Sequence, residues 1–472
     1  MTQAYYHTSE VVINLTVALF VVGFGLGPLV LAPVSELVGR KKIYLASMAG
    51  MCIFTIPCAV APNAATLIAF RLVSGLFASA PPTNAAGTIA DVWDANSRGM
   101  KMAVRRRRRP MSTLALHIAH ADQRLPQHRS LLWFCLPPLV SGHRSEVSFS
   151  KVAEYSRRAA VGGESELTRA WVSGRTGYMT MYAGWKSMYW LIVAMSGALF
   201  FVVLFFYDET YAPTLLGRRA KRLRKETGDP SYATAQERLR RPASEIVFEA
   251  LARPLLMLTT ELIMICFTAY LCLIYALLYG FFFAYPIIFA KGHGFNAGQT
   301  GLTFFGILIG IVAVAVVACP VQERYYARKC AESPTGQTAP ESRLPLMMVN
   351  AVVLPVSLGI FAATSDPSTH WAGPLVAGVP FGFGLVGCYI AGNTYLVDVY
   401  SQYGASAMAA KTFARSMAGA SVPLWIAYEY EHLGNRWAGA VFCFIAVGMA
   451  PIPFFFFKYG PAIRKRAKMA TY

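Results

Sequence analysis

Arg71 is the one charge inside an otherwise uncharged apolar run, Ala65–Ala90. A guanidinium at mid-membrane depth costs at least ~2.5–3.5 kcal/mol on insertion scales, so it must face a partner or a wet cavity. Hydrogen bonding to helix carbonyls would make it purely structural. Glu36 and Arg40 stand four residues apart and share a helix face if the turn between them is helical. Asp91 closes the Ala65–Ala90 run on the same side of the layer. At their plainest these groups form a loop ion pair worth under ~1 kcal/mol. Glu261 lies at the entrance of the run Leu262–Phe289, where a carboxylate is either a proton site or an interfacial charge. Tyr270, Tyr275 and Tyr279 recur at helical spacing in that run. They line an aromatic pocket for planar compounds, or they pack between helices or form an interfacial belt. Asn393, Tyr395 and Asp398 fall late in a Gly-rich run and face the interior or its cytoplasmic rim, with Asp398 reading as a helix-end charge. Lys411 and Arg415, also four apart, open the next run and read as side chains that snorkel to the cytoplasmic surface.

These residues need apolar helices to hold them, and the composition supplies such helices. The 472 residues are 55% hydrophobic and only 14% charged, with mean hydropathy +0.43. Soluble domains carry about 25% charged residues. The deficit lies in long apolar runs near the ~20 residues that span a bilayer, so the chain is an all-α polytopic membrane protein rather than a membrane barrel of short alternating strands. The net charge of +19 sits mostly between the runs, which marks cytoplasmic loops rather than a nucleic-acid surface. Nine cysteines without a CxxC pair indicate neither a metal site nor a disulfide framework. Residues 1–10 hold no Lys or Arg, so no cleavable signal peptide is expected. No hydrolase triad, nucleotide loop or metal cluster stands out. An enzyme, a cofactor and ATP are therefore not expected, and the Gly-rich Gly382–Gly387 reads as helix packing.

Ten spans follow: Val11–Ala32, Ile43–Ala61, Ala65–Ala90, Ser187–Tyr207, Leu262–Phe289, Gly301–Pro320, Leu344–Thr364, Ala372–Val397, Ala405–Ala427 and Trp437–Phe457. Gly23, Gly25 and Gly27 in the first would allow close helix approach. Placing Arg40-Lys41-Lys42 in the cytoplasm forces the 208–253 linker, the 321–343 loop and the C-terminal tail outside, although all three are basic. One more crossing between 104 and 186 would repair all three. Yet the longest apolar run in 104–176 is Leu131–Val140, with Pro137 and Pro138 inside it, too short to span ~30 Å. The expected units are an N-terminal bundle at 1–103, an atypical basic segment at 104–176 that includes Arg105–Arg109, and a helix at 177–207. A basic cytoplasmic linker at 208–253, a six-helix bundle at 254–457 and a basic tail at 458–472 follow.

Five segments in order resemble the twelve-helix drug:proton antiporter branch of the fungal major facilitator superfamily. Gly27-Pro28 to Arg40, with Ser35-Glu36, resembles its helix 2–3 loop, and Arg71 followed by Gly75 its helix 4 motif. Asp208-Glu209-Thr210-Tyr211-Ala212-Pro213 resembles the signature after helix 6, and Ala220–Gly228 the linker beyond it. Gly392-Asn393-Thr394-Tyr395-Leu396-Val397-Asp398 resembles the helix 10–11 region. Two departures stand out. Met1 lies just before what looks like the family's second helix, so a first helix is missing from the pattern. Nothing in 100–186 matches the Gly-Pro-rich motif of the fifth helix, which points to a retained intron or frameshifted stretch at 104–176. The resemblance implies two helical bundles around a midplane cavity, acting as a monomer in the plasma membrane. It implies proton-coupled efflux of a drug, toxin or secondary metabolite, with proton-coupled uptake and a non-transporting remnant or sensor as alternatives. It implies proton coupling for Arg71 through the pKa of a nearby carboxylate, and a charge relay among Glu36, Arg40 and Asp91 that latches the outward-facing state. Protons, a small organic substrate and the bilayer are then the partners.

Overall fold

The computed structural model describes residues 6–81, 182–229, 231–234, 243–333 and 338–470, and among these every regular element is helical. Helix α1 spans Glu10–Val38 and stops at Gly39, whose φ of 104° and ψ of 151° leave the helical region. Only glycine takes such a backbone without strain. Helix α2, Arg40–Val60, starts at the next residue. This single-residue joint corrects one expectation: Glu36 and Arg40 lie on different helices, not on one face. Helix α3, Ala64–Ala78, begins where Asn63 accepts the Thr66 amide at 2.8 Å, an N-cap. Helix α4 covers Lys186–Phe206, and the basic helix α5, Ala212–Thr227, ends at Gly228 in the left-handed region.

The glycines of α1 show why these helices lie where they do. Gly23 and Gly27, four apart, press against Leu72 and Ser79 on one flank, while Gly75 meets the backbone of Phe20. The offset residue Gly25 faces Ser416 of the C-terminal half instead. A Cβ at any of the four would overlap its neighbour, so α1 serves as a seam with both sides in close contact.

Helix α6, Ala243–Thr260, leads into the C-terminal half. Helix α7, Leu262–Tyr285, continues through a π-helical stretch, Pro286–Gly292. Helices α8 (Ala297–Thr303), α9 (Phe305–Ala313) and α10 (Cys319–Glu332) form one long rod, apolar through α9 and charged in α10, with a π-helical insert between α9 and α10. Helices α11 (Leu344–Thr364) and α12 (Ala372–Val399) follow. Helix α13, Gly404–Met449, turns back on itself at Gly434 (φ 74°), and α14 is Pro451–Arg466. The Gly-rich part of α12 packs as expected: Gly382 lies on Ile307 of α9, and Gly384 and Gly387 on Leu354 and Asn350 of α11.

Among the described residues, eight helices are long and apolar enough to cross a membrane. One of them doubles back at Gly434 and the short apolar α3 adds another, which matches the ten runs of the sequence. Their outward faces are apolar: Val349, Val352, Val356 and Ile360 form an exposed stripe along α11, as Ile309, Val312 and Val316 do along α9 and its extension. Rows of exposed aliphatics at helical spacing suit contact with lipid tails.

Direction is fixed by contacts at the two ends. Tyr6 donates to the Ala61 carbonyl (2.8 Å) and its ring meets Trp185 (5.8 Å), so the start of α1, the end of α2 and the start of α4 share one end. The Arg40 amide donates to Glu209 (2.9 Å), so the end of α4 shares the opposite end with the α1–α2 joint. Helix α3 starts beside Ala61 and runs parallel to α1. Both α3 and α4 therefore run the same way. The further crossing was expected between 104 and 186; of that stretch residues 104–181, with Arg105–Arg109, lie outside the described ones, as does Asp91.

Candidate functional site

The inner end of the N-terminal half is organised by a carboxylate that follows α4. Glu209, buried, accepts the backbone amides of Arg40 (2.9 Å) and Tyr211 (3.2 Å), with Arg218 at 4.0 Å. Gly39 lies so close to this carboxylate that a Cβ there would collide with it. Arg40, buried too, donates from Nη1 to Ser35 Oγ at 2.8 Å and lies 5.2 Å from the centroid of the Tyr211 ring. The joint between α1 and α2 is thus held by the segment after α4. Of the residues expected to form a relay here, Arg40 is described, while Asp91 and the Glu36 side chain lie outside what is described. Glu209 was legible only as part of a motif. Its reach to Gly39 spans 170 positions, which no local pattern encodes.

The inner end of the C-terminal half has a matching arrangement. Arg343 donates from Nε to Asp398 (2.9 Å) and from Nη1 to Glu323 (3.0 Å), with its guanidinium 3.5 Å from the Tyr326 ring centroid. Asp398 near the C-terminus of α12 would be disfavoured by the helix dipole, and Arg343 offsets this. Glu261 is only 2% exposed. Its carboxylate accepts the amides of Lys468 (3.0 Å) and Met469 (3.1 Å) and the Tyr400 hydroxyl (3.4 Å), tying the tail to the start of α7.

Inside the layer the cations are placed differently. Arg71 lies 4.7 Å from the ring centroid of Tyr189 and 5.2 Å from that of Phe20, and its Nε makes no hydrogen bond. Phe20 in turn packs against the C-terminal core. Lys411 and Arg415 do not snorkel: they are 1% and 8% exposed. Arg415 donates to the Tyr389 hydroxyl (2.9 Å) and lies 4.4 Å and 5.1 Å from the Tyr275 and Tyr389 centroids. Lys411 donates to Asn393 Oδ1 and sits 5.1 Å from the Tyr389 centroid. Ring faces and an amide on neighbouring helices hold both cations inward, which spacing along one helix cannot reveal.

The expected pocket residues divide into two groups. Tyr275 and Tyr279 both lie against Gly419, where a Cβ would come within 2.8 Å and 2.9 Å of their rings, and Asn393 joins them through Lys411. Tyr270 and Tyr395 sit deeper in the C-terminal core, Tyr270 near Cys388 Sγ (3.6 Å) and Tyr395 against Phe267 (4.6 Å between centroids). Tyr389, which links both cations, was missed; its only signal was an aromatic one turn before Asn393.

The family model described as Major Facilitator Superfamily matches residues 1–106 and 174–423. The chain belongs to that superfamily. It is a multi-pass membrane transporter, and residues 107–173 fall outside the match. An uncharacterized MFS-type transporter of Schizosaccharomyces pombe is 40% identical over 97% of this chain and 72% of its own length. The MFS-type efflux pump MFS2 of Trichophyton rubrum is 33% identical over 98% of this chain and 69% of its own. The multidrug transporter mdrA of Aspergillus fumigatus is 34% identical over 99% and 68%. Among solved structures, the proton:xylose symporter XylE superposes with a TM-score of 0.56 at 14% identity, covering 96% of this chain and 87% of that one. That likeness concerns the fold.

Proposed function

We propose that this facilitator exports a small organic compound across the plasma membrane in exchange for protons. The observation that carries the reading is the placement of cations in both halves, Arg71 behind Phe20 and Lys411 with Arg415 beside Tyr275, on either side of the α1–α13 seam. Similarity over nearly all of this chain, and 69% and 68% of their own length, to proteins named as efflux pump and multidrug transporter supports the direction of transport. Alternating access would rock the bundle of residues 1–103 and 177–207 against that of 254–457 about this seam, with the midplane site between them. The 208–253 linker would join the two on the cytoplasmic side.

In this scheme Arg71 is the coupling residue, and Glu261 is the second titratable group to test. Arg40 works with Glu36 and Asp91 at the inner gate, and Glu209 keeps their joint closed. Tyr275, Tyr279 and Asn393 contact substrate, with Tyr270 and Tyr395 behind them. Neither ATP nor a partner subunit is needed. The test is uptake of a fluorescent drug into inverted vesicles under an imposed pH gradient. Accumulation that collapses with the gradient is expected; accumulation that persists unchanged after an uncoupler is added would overturn the proton-coupled reading.

A further inference from the structure

Exchange against protons needs a group that takes up a proton at one face and gives it back at the other. The ten apolar spans hold no Asp, Glu or His, and their charged residues are Arg71, Lys411 and Arg415. A guanidinium stays protonated in proteins, so Arg71 and Arg415 can bias a proton site but cannot be one. Lys411 is the remaining charged group, and an amine can exist in both states. It lies about 10 Å along α13 from Gly404, some way into a ~30 Å apolar layer. It is 1% exposed. Among the described residues no carboxylate comes within ion-pair distance of it; its contacts are Asn393 Oδ1 and the ring of Tyr389. An ammonium held out of water without a counter-charge is costly, and a lysine escapes that cost by giving up its proton.

Asn393 suits both states of that amine. Its Oδ1 accepts from Nζ, while its Nδ2 is buried without a hydrogen-bond partner. A half-turn of the amide sets a donor against the lone pair of a neutral amine in the same place. The surrounding ionisable groups come from four elements. Arg415 lies one turn on along α13, and Tyr389 comes from α12. Helix α7 brings Tyr275 beside Arg415, Tyr279 against Gly419, and Cys272. Arg253 of α6 lies over the Tyr403 ring at the inner end. Helices α1 and α11 bring no ionisable side chain to α13 inside the layer.

We propose that Lys411 carries the exchanged proton, with Asn393 as the partner that serves its charged and neutral forms in turn. This rests on the proton-coupled export reading and names the group that carries out the coupling. When the site is open outward, the amine lone pair takes a proton from water and an Nζ–H bond forms. When the site is open inward, that bond breaks and the proton leaves to water on the cytoplasmic side. Nothing is oxidised or reduced. A carboxylate partner would favour the charged form at both faces and stall the release.

The test uses inverted vesicles carrying the full chain and a neutral azole, tritiated fluconazole, with two readouts. One is accumulation driven by an acid interior; the other is exchange of labelled for unlabelled azole with no gradient. Wild type is expected to show both. Lys411→Arg stays charged and Lys411→Gln stays neutral, so each should lose driven accumulation and keep exchange. A structural lysine would not separate the two readouts. Driven accumulation retained in either variant overturns the proposal. Where one variant loses both readouts, the other decides; loss of both readouts in both variants also overturns it. Wild type that fails to accumulate the azole, or does so despite an uncoupler, strikes the export reading and this proposal with it. Coupled wild-type accumulation that survives in Lys411→Arg strikes the proposal alone.

Discussion

Cations at the inner rim of this transporter lie beside both carboxylates and rings, and those of the membrane interior lie against rings. At the rim, Arg343 meets Asp398 and Glu323, and the joint at Gly39 and Arg40 rests on Glu209. In the interior, Arg71, Lys411 and Arg415 rest on the faces of Phe20, Tyr189, Tyr275 and Tyr389. The difference follows from what each place must do. Carboxylate pairs near water are close to neutral in energy and can break and reform as a gate moves. A buried carboxylate partner would neutralise an interior cation permanently, whereas an aromatic face steadies it by up to ~2 kcal/mol and leaves its charge available.

The harshest way to break this comparison is to remove an interior charge. Arg71→Gln should lower gradient-driven transport about tenfold to a hundredfold, since a hydrogen bond to a charged group contributes ~1.5–3 kcal/mol. Protein yield and helicity should stay near wild type, because no described side chain loses an ion pair. Vesicle uptake together with circular dichroism checks both halves of the statement. Retained transport in Arg71→Gln would make this cation a packing residue like its aromatic neighbours.

A second break applies to the rim. Glu209→Ala leaves the buried amide of Arg40 without its acceptor, at a cost of about 1–3 kcal/mol. The joint should then open more often. A cysteine placed at Gly39 in a cysteine-free background would be the wrong probe, since any Cβ there already collides with Glu209. Ser35→Cys on the α1 side reports instead, and its alkylation rate should rise about fivefold or more in the Glu209→Ala background. Asp398→Asn is the milder counterpart. Arg343 keeps Glu323, so a loss near ~1 kcal/mol is expected, seen as a small fall in melting temperature with transport retained.

How much of this was legible in the chain also divides along the same line. The spans were readable because bilayer thickness imposes a length and an apolar content on each helix, and nine of the ten runs recur as helices at nearly the same positions, the third being described only to residue 81. The glycine seams were readable because small residues at four-residue spacing have few other uses in lipid. Charges were harder. The expected helical face of Glu36 and Arg40 failed because one positive-φ glycine intervenes, and a glycine in the sequence does not state its φ. Lys411 and Arg415 were read outward because position in the helix was the only cue, while the rings that hold them inward come from α7 and α12. The long-range contacts of Glu209 and Glu261 had no local signature at all.

The smallest expected effect concerns Glu261, which belongs to the rim in position and to neither pattern in chemistry. Its carboxylate accepts two backbone amides of the tail rather than a cation. Glu261→Gln keeps an acceptor oxygen but gives up the charge, so the tail should loosen by well under the ~1–3 kcal/mol of an unsatisfied donor. Trypsin cleavage after Lys465 or Lys468 would then quicken by a factor of a few, with transport unchanged. A large fall in transport with no change in cleavage would mean that Glu261 handles protons. The rim would then carry one group of the interior's kind, and the division between gate and site would have to be redrawn at α7.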